Sequence, residues 1–320
     1  MEFQWLAPCR SRHRSAPPWS RRQRLPALVG EWLIRGAVRH LGRWYVALPQ
    51  HFIHYLPRRI VVRLPGDPKD PWFAETQDLT DGFARPMYHT TRRSIGPATT
   101  IVPGDSIWIV SQVFSPWGGL RPAIDARIDV ARIEERERGR RRFVAARSSS
   151  WFPMADATPI LKRLHTRTAD GRLSKLIGAR AERVGHSLQS MRLLESGDLL
   201  EKWSRTLNRT QPHFISYRIC DGTRAAFRIA RELLSKGEVV FWDRWCLPRR
   251  LAERRELASD RALDKYLMSH LRGSKLVWGI ESKAYFAKDS YATKEPSTAI
   301  RIGNYRAVPV MPIQKRPTRR

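Results

Sequence analysis

His213-Phe-Ile-Ser-Tyr-Arg218, then Thr223 to Lys236, then Gly237, then Val239-Val-Phe-Trp242: this stretch decides the fold. Its first segment is aromatic and aliphatic, as a buried strand requires. The second places Ala226, Phe227, Ala230, Leu233 and Leu234 at helical spacing, and Gly237 supplies a C-terminal stop. The third is again a short apolar strand. Working outward, Ser259-Asp260 reads as the cap of a helix carrying Leu263, Leu267 and Leu271 on one face. Lys275 to Ile280 and Ala307 to Met311 read as a third and a fourth strand. Strands alternating with helices at this spacing predict an α/β domain built on a parallel sheet.

Upstream, Gln211-Pro212 punctuates the chain, and the boundary is expected at about 205–212. Residues 172 to 207 follow a helical period through Leu188, Met191, Leu194, Leu199, Leu200 and Trp203, interrupted by Gly197-Asp198. From Trp44 to about Val144 the pattern is mainly strand. Ile60 to Leu64, Thr99 to Val102, Ser106 to Val113 and Ile124 to Ile133 read as strands separated by Pro/Gly turns, the order of a small barrel. Three regions result: an arm over 1–40, a β-rich domain with a helical C-terminal part over 41–207, and an α/β domain over 212–315.

The chain has 320 residues, a soft prior of two domains. Its 42% hydrophobic content supports a sizeable core, and no apolar run reaches the ~18 residues of a membrane helix. Cys9, Cys220 and Cys246 form no C-x-x-C pair and are odd in number, which excludes a disulfide framework and a Cys-rich zinc site. A reducing, cytoplasmic location is expected. The net charge of +29 favours contact with polyanions. The arm is Arg-rich and acid-poor like a transit peptide, but Pro17-Pro18 breaks any amphipathic helix there. It reads as a disordered basic arm or as translation from an upstream start.

Beyond the strand–helix order, the C-terminal third resembles the TIR-domain family. His213-Phe-Ile-Ser-Tyr-Arg-Ile-Cys-Asp221 resembles that family's opening strand with its Ser-Tyr and nearby Asp. Gly273 to Ser282 resembles its serine-flanked apolar strand. Ser282-x-x-Tyr285-x4-Ser290-Tyr-Ala-Thr-Lys-Glu295 resembles its S-x-x-Y-x4-S-W-x3-E run, with Tyr291 in the place of Trp. The resemblance implies a flavodoxin-like sheet and a tendency to self-associate; after the fourth strand either the domain is shortened or the sequence is truncated. It also implies cleavage of the nicotinamide–ribose bond of NAD, with NAD as substrate and no resident cofactor. Glu295 takes the catalytic position. Tyr217, Arg218, Asp243, Trp245 and Ser290 are the implied substrate contacts, with Arg218 facing pyrophosphate and Trp245 stacking on a base. A carboxylate suits this chemistry, because breaking an N-glycosidic bond builds oxocarbenium character on the ribose. Nicotinamide leaves as a neutral base, so one carboxylate suffices. Pro296 either opens a helix as its first residue or displaces the glutamate from that place.

Val102-Pro-Gly-Asp-Ser-Ile-Trp-Ile-Val110 resembles the strand of PUA-like barrels, which include the EVE and ASCH domains. It implies a pocket flanked by Trp108, Trp117 or Trp151 and a nucleic acid or nucleotide trigger. Together the resemblances imply a sensor–effector of the kind serving bacterial antiphage immunity. The alternatives are a non-enzymatic interaction module and a nucleic-acid-binding protein with a degenerate TIR-like part. Glu134 to Arg142 reads as a hairpin turned at Gly139 with a basic tip. Phosphate-loop, zinc-protease and nucleophile-elbow signatures are absent. His51 and His54 lack further ligands in the nearby sequence, so no metal is expected.

Overall fold

The computed structural model describes residues 37–40, 43–46, 48–61, 72–74, 85–91, 96–136, 139–167, 172–177, 184–188, 190–246, 260–286 and 294–310. The chain forms two compact units, Met1–Leu48 and Pro49–Arg320. Within the first, Ala37–His40 pairs antiparallel with Arg43–Val46. The Arg-rich stretch expected as an arm lies outside the described residues apart from this pairing.

Among the described residues, the second unit holds two sheets. The larger has eleven strands of mixed direction. Its centre is β1 (His51–Val61), β2 (Ser106–Ser115), β3 (Ala123–Arg136) and β4 (Arg140–Ala145). β1 and β2 are parallel, whereas β2–β3 and β3–β4 are antiparallel. The continuous apolar run of β2 is explained by cover on both faces. Ile107 and Ile109 pack with Phe52, Leu56, Ile128 and Phe143. The alternate residues Trp108 and Val110 pack with Ile53, Ile124, Leu161 and Leu200 on the other side. Trp108 is therefore core, with its Nε1 donating to His51 Nδ1 at 3.2 Å. The hairpin between β3 and β4 forms as expected: Gly139 has φ +67°, and Arg136 lies opposite Arg140. Its arginines are largely matched, Arg132 and Arg136 to Glu134 and Arg141 to Glu135.

Two local readings are corrected. Thr99 to Val102 is no strand: Gly96–Thr99 is a 3₁₀ turn leading into the Pro-Gly loop before β2. Residues 172–207 are not helical throughout. Leu173–Lys175 and Arg192–Leu194 are strands that extend the large sheet, and the long helix is α1 (Gly197–Arg209). Gly197-Asp198 starts that helix instead of interrupting it. A Cβ at Gly197 would fall 2.1 Å from the His51 ring, so this helix start approaches β1 only as glycine.

The smaller sheet has four strands, all parallel: β5 (His213–Ser216), β6 (Val240–Trp242), β7 (Leu276–Glu281) and β8 (Tyr305–Pro309), in the order β6-β5-β7-β8. Its helices are α2 (Ile219–Ser235), α3 (Asp260–Arg272) and α4 (Lys294–Arg301). The helical spacing read in the sequence is the buried face of α2, where Ala226, Phe227, Ala230, Leu233 and Leu234 meet the sheet. Gly237, at φ +75°, closes α2 by donating to the Leu234 carbonyl. From β5 the chain winds to one side to make β6, then crosses back to make β7 on the other. The crossover point is between β5 and β7.

The two sheets share core. Val113, Leu120, Ala123 and Met154 pack with Phe214, Ala226 and Trp242. Met154 and Val240 exchange backbone hydrogen bonds of 2.8 and 2.9 Å. Arg58 reaches from β1 to the short helix Asp243–Cys246, where its guanidinium lies over the Trp245 ring and bonds the Trp245 carbonyl. The same guanidinium forms a buried ion pair with Asp125. Among the described residues no helix is long and apolar enough to cross a membrane.

Candidate active site

In an open parallel sheet, the carboxyl ends of the strands at the crossover point form a crevice where ligands bind. Ser216 ends β5 there, directly opposite Gly279 of β7. Ser216 is buried, and its Oγ contacts both the Tyr285 Oη, at 2.8 Å, and the Glu295 carboxylate. Ser216 donates to the Glu295 carboxylate, and its hydroxyl shares a hydrogen bond with the Tyr285 phenol. Glu295 sits in the first turn of α4 and is only 7% exposed. Burial is the main cause that pushes its carboxyl up to about 7; the Ser216 hydrogen bond acts in the opposite direction, and Asp243 and Asp264 add to the rise. Burial likewise raises the Tyr285 phenol, which stays protonated throughout the working range.

Pro296 is compatible with this position. α4 begins at Lys294, so the proline falls in the first turn, where a backbone N–H has no intrahelical partner. The helix starts two residues earlier than a start at Pro296 itself. Behind the site, Tyr305 of β8 donates to Glu281 Oε1 at 2.9 Å and crosses over Gly279. A Cβ at Gly279 would lie 2.1 Å from the Tyr305 oxygen, so glycine is required for that crossing.

The remaining expected contacts divide. Tyr217 follows Ser216, and its Oη donates to Asp243 Oδ1 at 2.7 Å, which joins the ends of β5 and β6. Arg218 precedes α2 and donates through Nε to the Ala284 carbonyl at 3.1 Å. Asp221, in the first turn of α2, accepts from Ser282 Oγ at 2.5 Å and from the Ala284 amide at 2.9 Å. These bonds fix the turn after β7 that carries Tyr285. Ser290 lies outside the described residues. Trp245 is a correction: it is no open stacking wall but fully buried, with its Nε1 donating to the Phe152 carbonyl at 3.2 Å and Arg58 over its ring. Its place in the core between the sheets explains the aromatic that sequence reading took for a base platform.

Two residues of the site were quoted in the motifs without being singled out, Ser216 and Tyr285. The signal was present, since each is a hydroxyl at a strand end or turn in the segments that flank Glu295. Only the fold places them in contact. Among the described residues, no group of three or more His, Cys, Asp or Glu is arranged to hold a metal ion. His51 accepts from Trp108, and His54 pairs with His89 at 2.9 Å. Comparison of the chain with protein-family models, curated proteins and solved structures finds no match.

Proposed function

We propose that this chain is a TIR-like enzyme that cleaves the nicotinamide–ribose bond of NAD, with Glu295 as its catalytic carboxylate. One observation carries the reading: a desolvated carboxyl stands at the carboxyl ends of the strands, at the crossover point, in contact with Ser216. The strand order, numbered within the sheet, is 2-1-3-4, the flavodoxin-like order short of a fifth strand. In the reaction, the C–N bond to the ribose breaks, nicotinamide keeps the electron pair and leaves neutral, and positive charge grows on the sugar. An ionised Glu295 facing that carbon stabilises the charge strongly, because burial removes the water that screens it. Water then supplies the hydroxyl of ADP-ribose, or an internal nucleophile closes a cyclic product. Tyr217 and Arg218 are placed at the same strand ends to orient the ribose and pyrophosphate. Self-association through this part of the chain, and a role in antiphage defence with the large sheet as a PUA-like sensor, complete the reading.

The test is nicotinamide release from NAD by the purified full chain, beside Glu295→Gln. Turnover in the wild type that vanishes in the variant is expected. A second reading, the non-enzymatic interaction module, is favoured by the burial of Glu295, since a sealed carboxyl that bonds Ser216 also serves as a packing element. Absence of turnover, together with concentration-dependent assembly, selects it.

A further inference from the structure

Away from Glu295, two clefts of about 400 and 820 Å³ run along the exposed side of α2. Both are lined by Arg228 and Arg231, so the two clefts adjoin along this helix as one groove. Arg224 extends it at one end, and Arg121 lies on its other wall. Arg224, Arg228 and Arg231 fall at positions 0, 4 and 7 of one helix stripe and so follow each other over roughly 10 Å. All four arginines are exposed; Arg228 lies in the field of Glu232 one turn on, and Arg224, Arg231 and Arg121 form no ion pair among the described residues. The acids that border the groove are already engaged, Asp221 with Ser282 and Ala284, and Glu232 with Lys236 at 2.6 Å. The opposite wall is the end of β2 and the turn after it, which contribute one aromatic each. Trp117 lines the first cleft and packs at a tilt of 58° on Phe227, and Phe114 lines the second with 38% of its surface exposed.

A file of exposed guanidinium groups beside aromatic rings is the arrangement that binds single-stranded nucleic acid: phosphates follow the charges and bases stack on the rings. We propose that this groove, between α2 and the turn after β2, is a binding site for a single-stranded oligonucleotide. A free nucleotide would occupy only one of the two clefts. The groove is built from both sheets of the unit, so an occupying strand touches the helix that follows Ser216 and Tyr217. The proposal does not depend on the role of Glu295.

The experiment is fluorescence anisotropy of a labelled mixed-sequence 12-mer DNA on the full chain over a range of salt. Each phosphate contact contributes about 0.7 to the slope of log K against log salt for a single strand. Reversing two of the arginines, Arg228→Glu with Arg231→Glu, is expected to weaken binding at least tenfold and to lower the slope by about 1.4. The charge-matched control Lys162→Glu with Arg163→Glu, on exposed residues elsewhere, changes both by far less. Phe114→Ala is expected to weaken binding about fivefold or more with the slope unchanged. The site is overturned if the control loses as much affinity as the groove variant. It is equally overturned if a duplex of the same length binds as tightly as the single strand, or if ATP at equal nucleotide concentration displaces the 12-mer. Circular dichroism of each variant establishes that it is folded, and NAD turnover of the groove variant without oligonucleotide keeps this test separate from that of Glu295.

Discussion

Glu295 holds its proton to about pH 7, and this sets two opposed consequences. The ionised form is the one that stabilises an oxocarbenium ion, so kcat/KM for NAD is expected to rise with pH through about 7. Ser216→Ala removes the hydrogen bond that favours ionisation, which moves that rising limb to higher pH. A pH–rate profile of both proteins checks the shift. Stability runs the other way. The carboxyl binds its proton more tightly folded than unfolded, where its ordinary value is 4.5. Its contribution is complete below about 4.5 and is lost as pH rises through 7. Glu295→Gln removes the cost, so the variant is expected to be more stable than the wild type at pH 8, by up to about 3 kcal/mol, in urea unfolding. At pH 4.5 the two should coincide. His89 acts with the opposite sign. Burial, with His54 beside it, holds its imidazole well below the usual range, so its share of stability is present above about 6.5 and falls as the solution is acidified.

Among the elements, β7 is closely constrained. Gly279 lets Tyr305 cross the strand, and Tyr305 in turn holds Glu281, whose neighbour Ser282 anchors the turn of Tyr285. Gly279→Ala forces Tyr305 aside and is expected to cost about 1–3 kcal/mol, measured by denaturant unfolding, with a loss of turnover beyond the loss of folded protein. Sequence patterns revealed most of this layer. The strand–helix order from His213 to Val310 was legible because a buried parallel strand and an amphipathic helix carry distinct periods. Leu173 to Lys175 and Arg192 to Leu194 were not. They are three-residue strands, too short to show alternation, and their pairing is set by partners far along the chain. Trp245 was misplaced for a related reason. An aromatic after a strand looks the same whether it closes a pocket or fills a core, and the deciding residue, Arg58, lies 187 positions away.

At the scale of the molecule, the Arg58–Asp125 pair is the polar contact that joins β1 and β3 to the segment after β6. Asp125 also accepts from Ser111, so the acid depends on two partners buried with it. Arg58→Met leaves that carboxylate without its counter-charge and is expected to cost about 3–5 kcal/mol, visible as a lowered urea midpoint. Replacing both, Arg58→Met with Asp125→Leu, should recover much of the loss. The Met154–Val240 bridge has a consequence for fragments of this chain. A protease that cuts just before Gln211-Pro212, at Arg209, severs the sequence between two patterns, yet the pieces remain joined by main-chain bonds and a common interior. They should elute together in buffer and part only in denaturant. Expressed separately, each would bear a raw apolar face, and the two would need one another to become soluble.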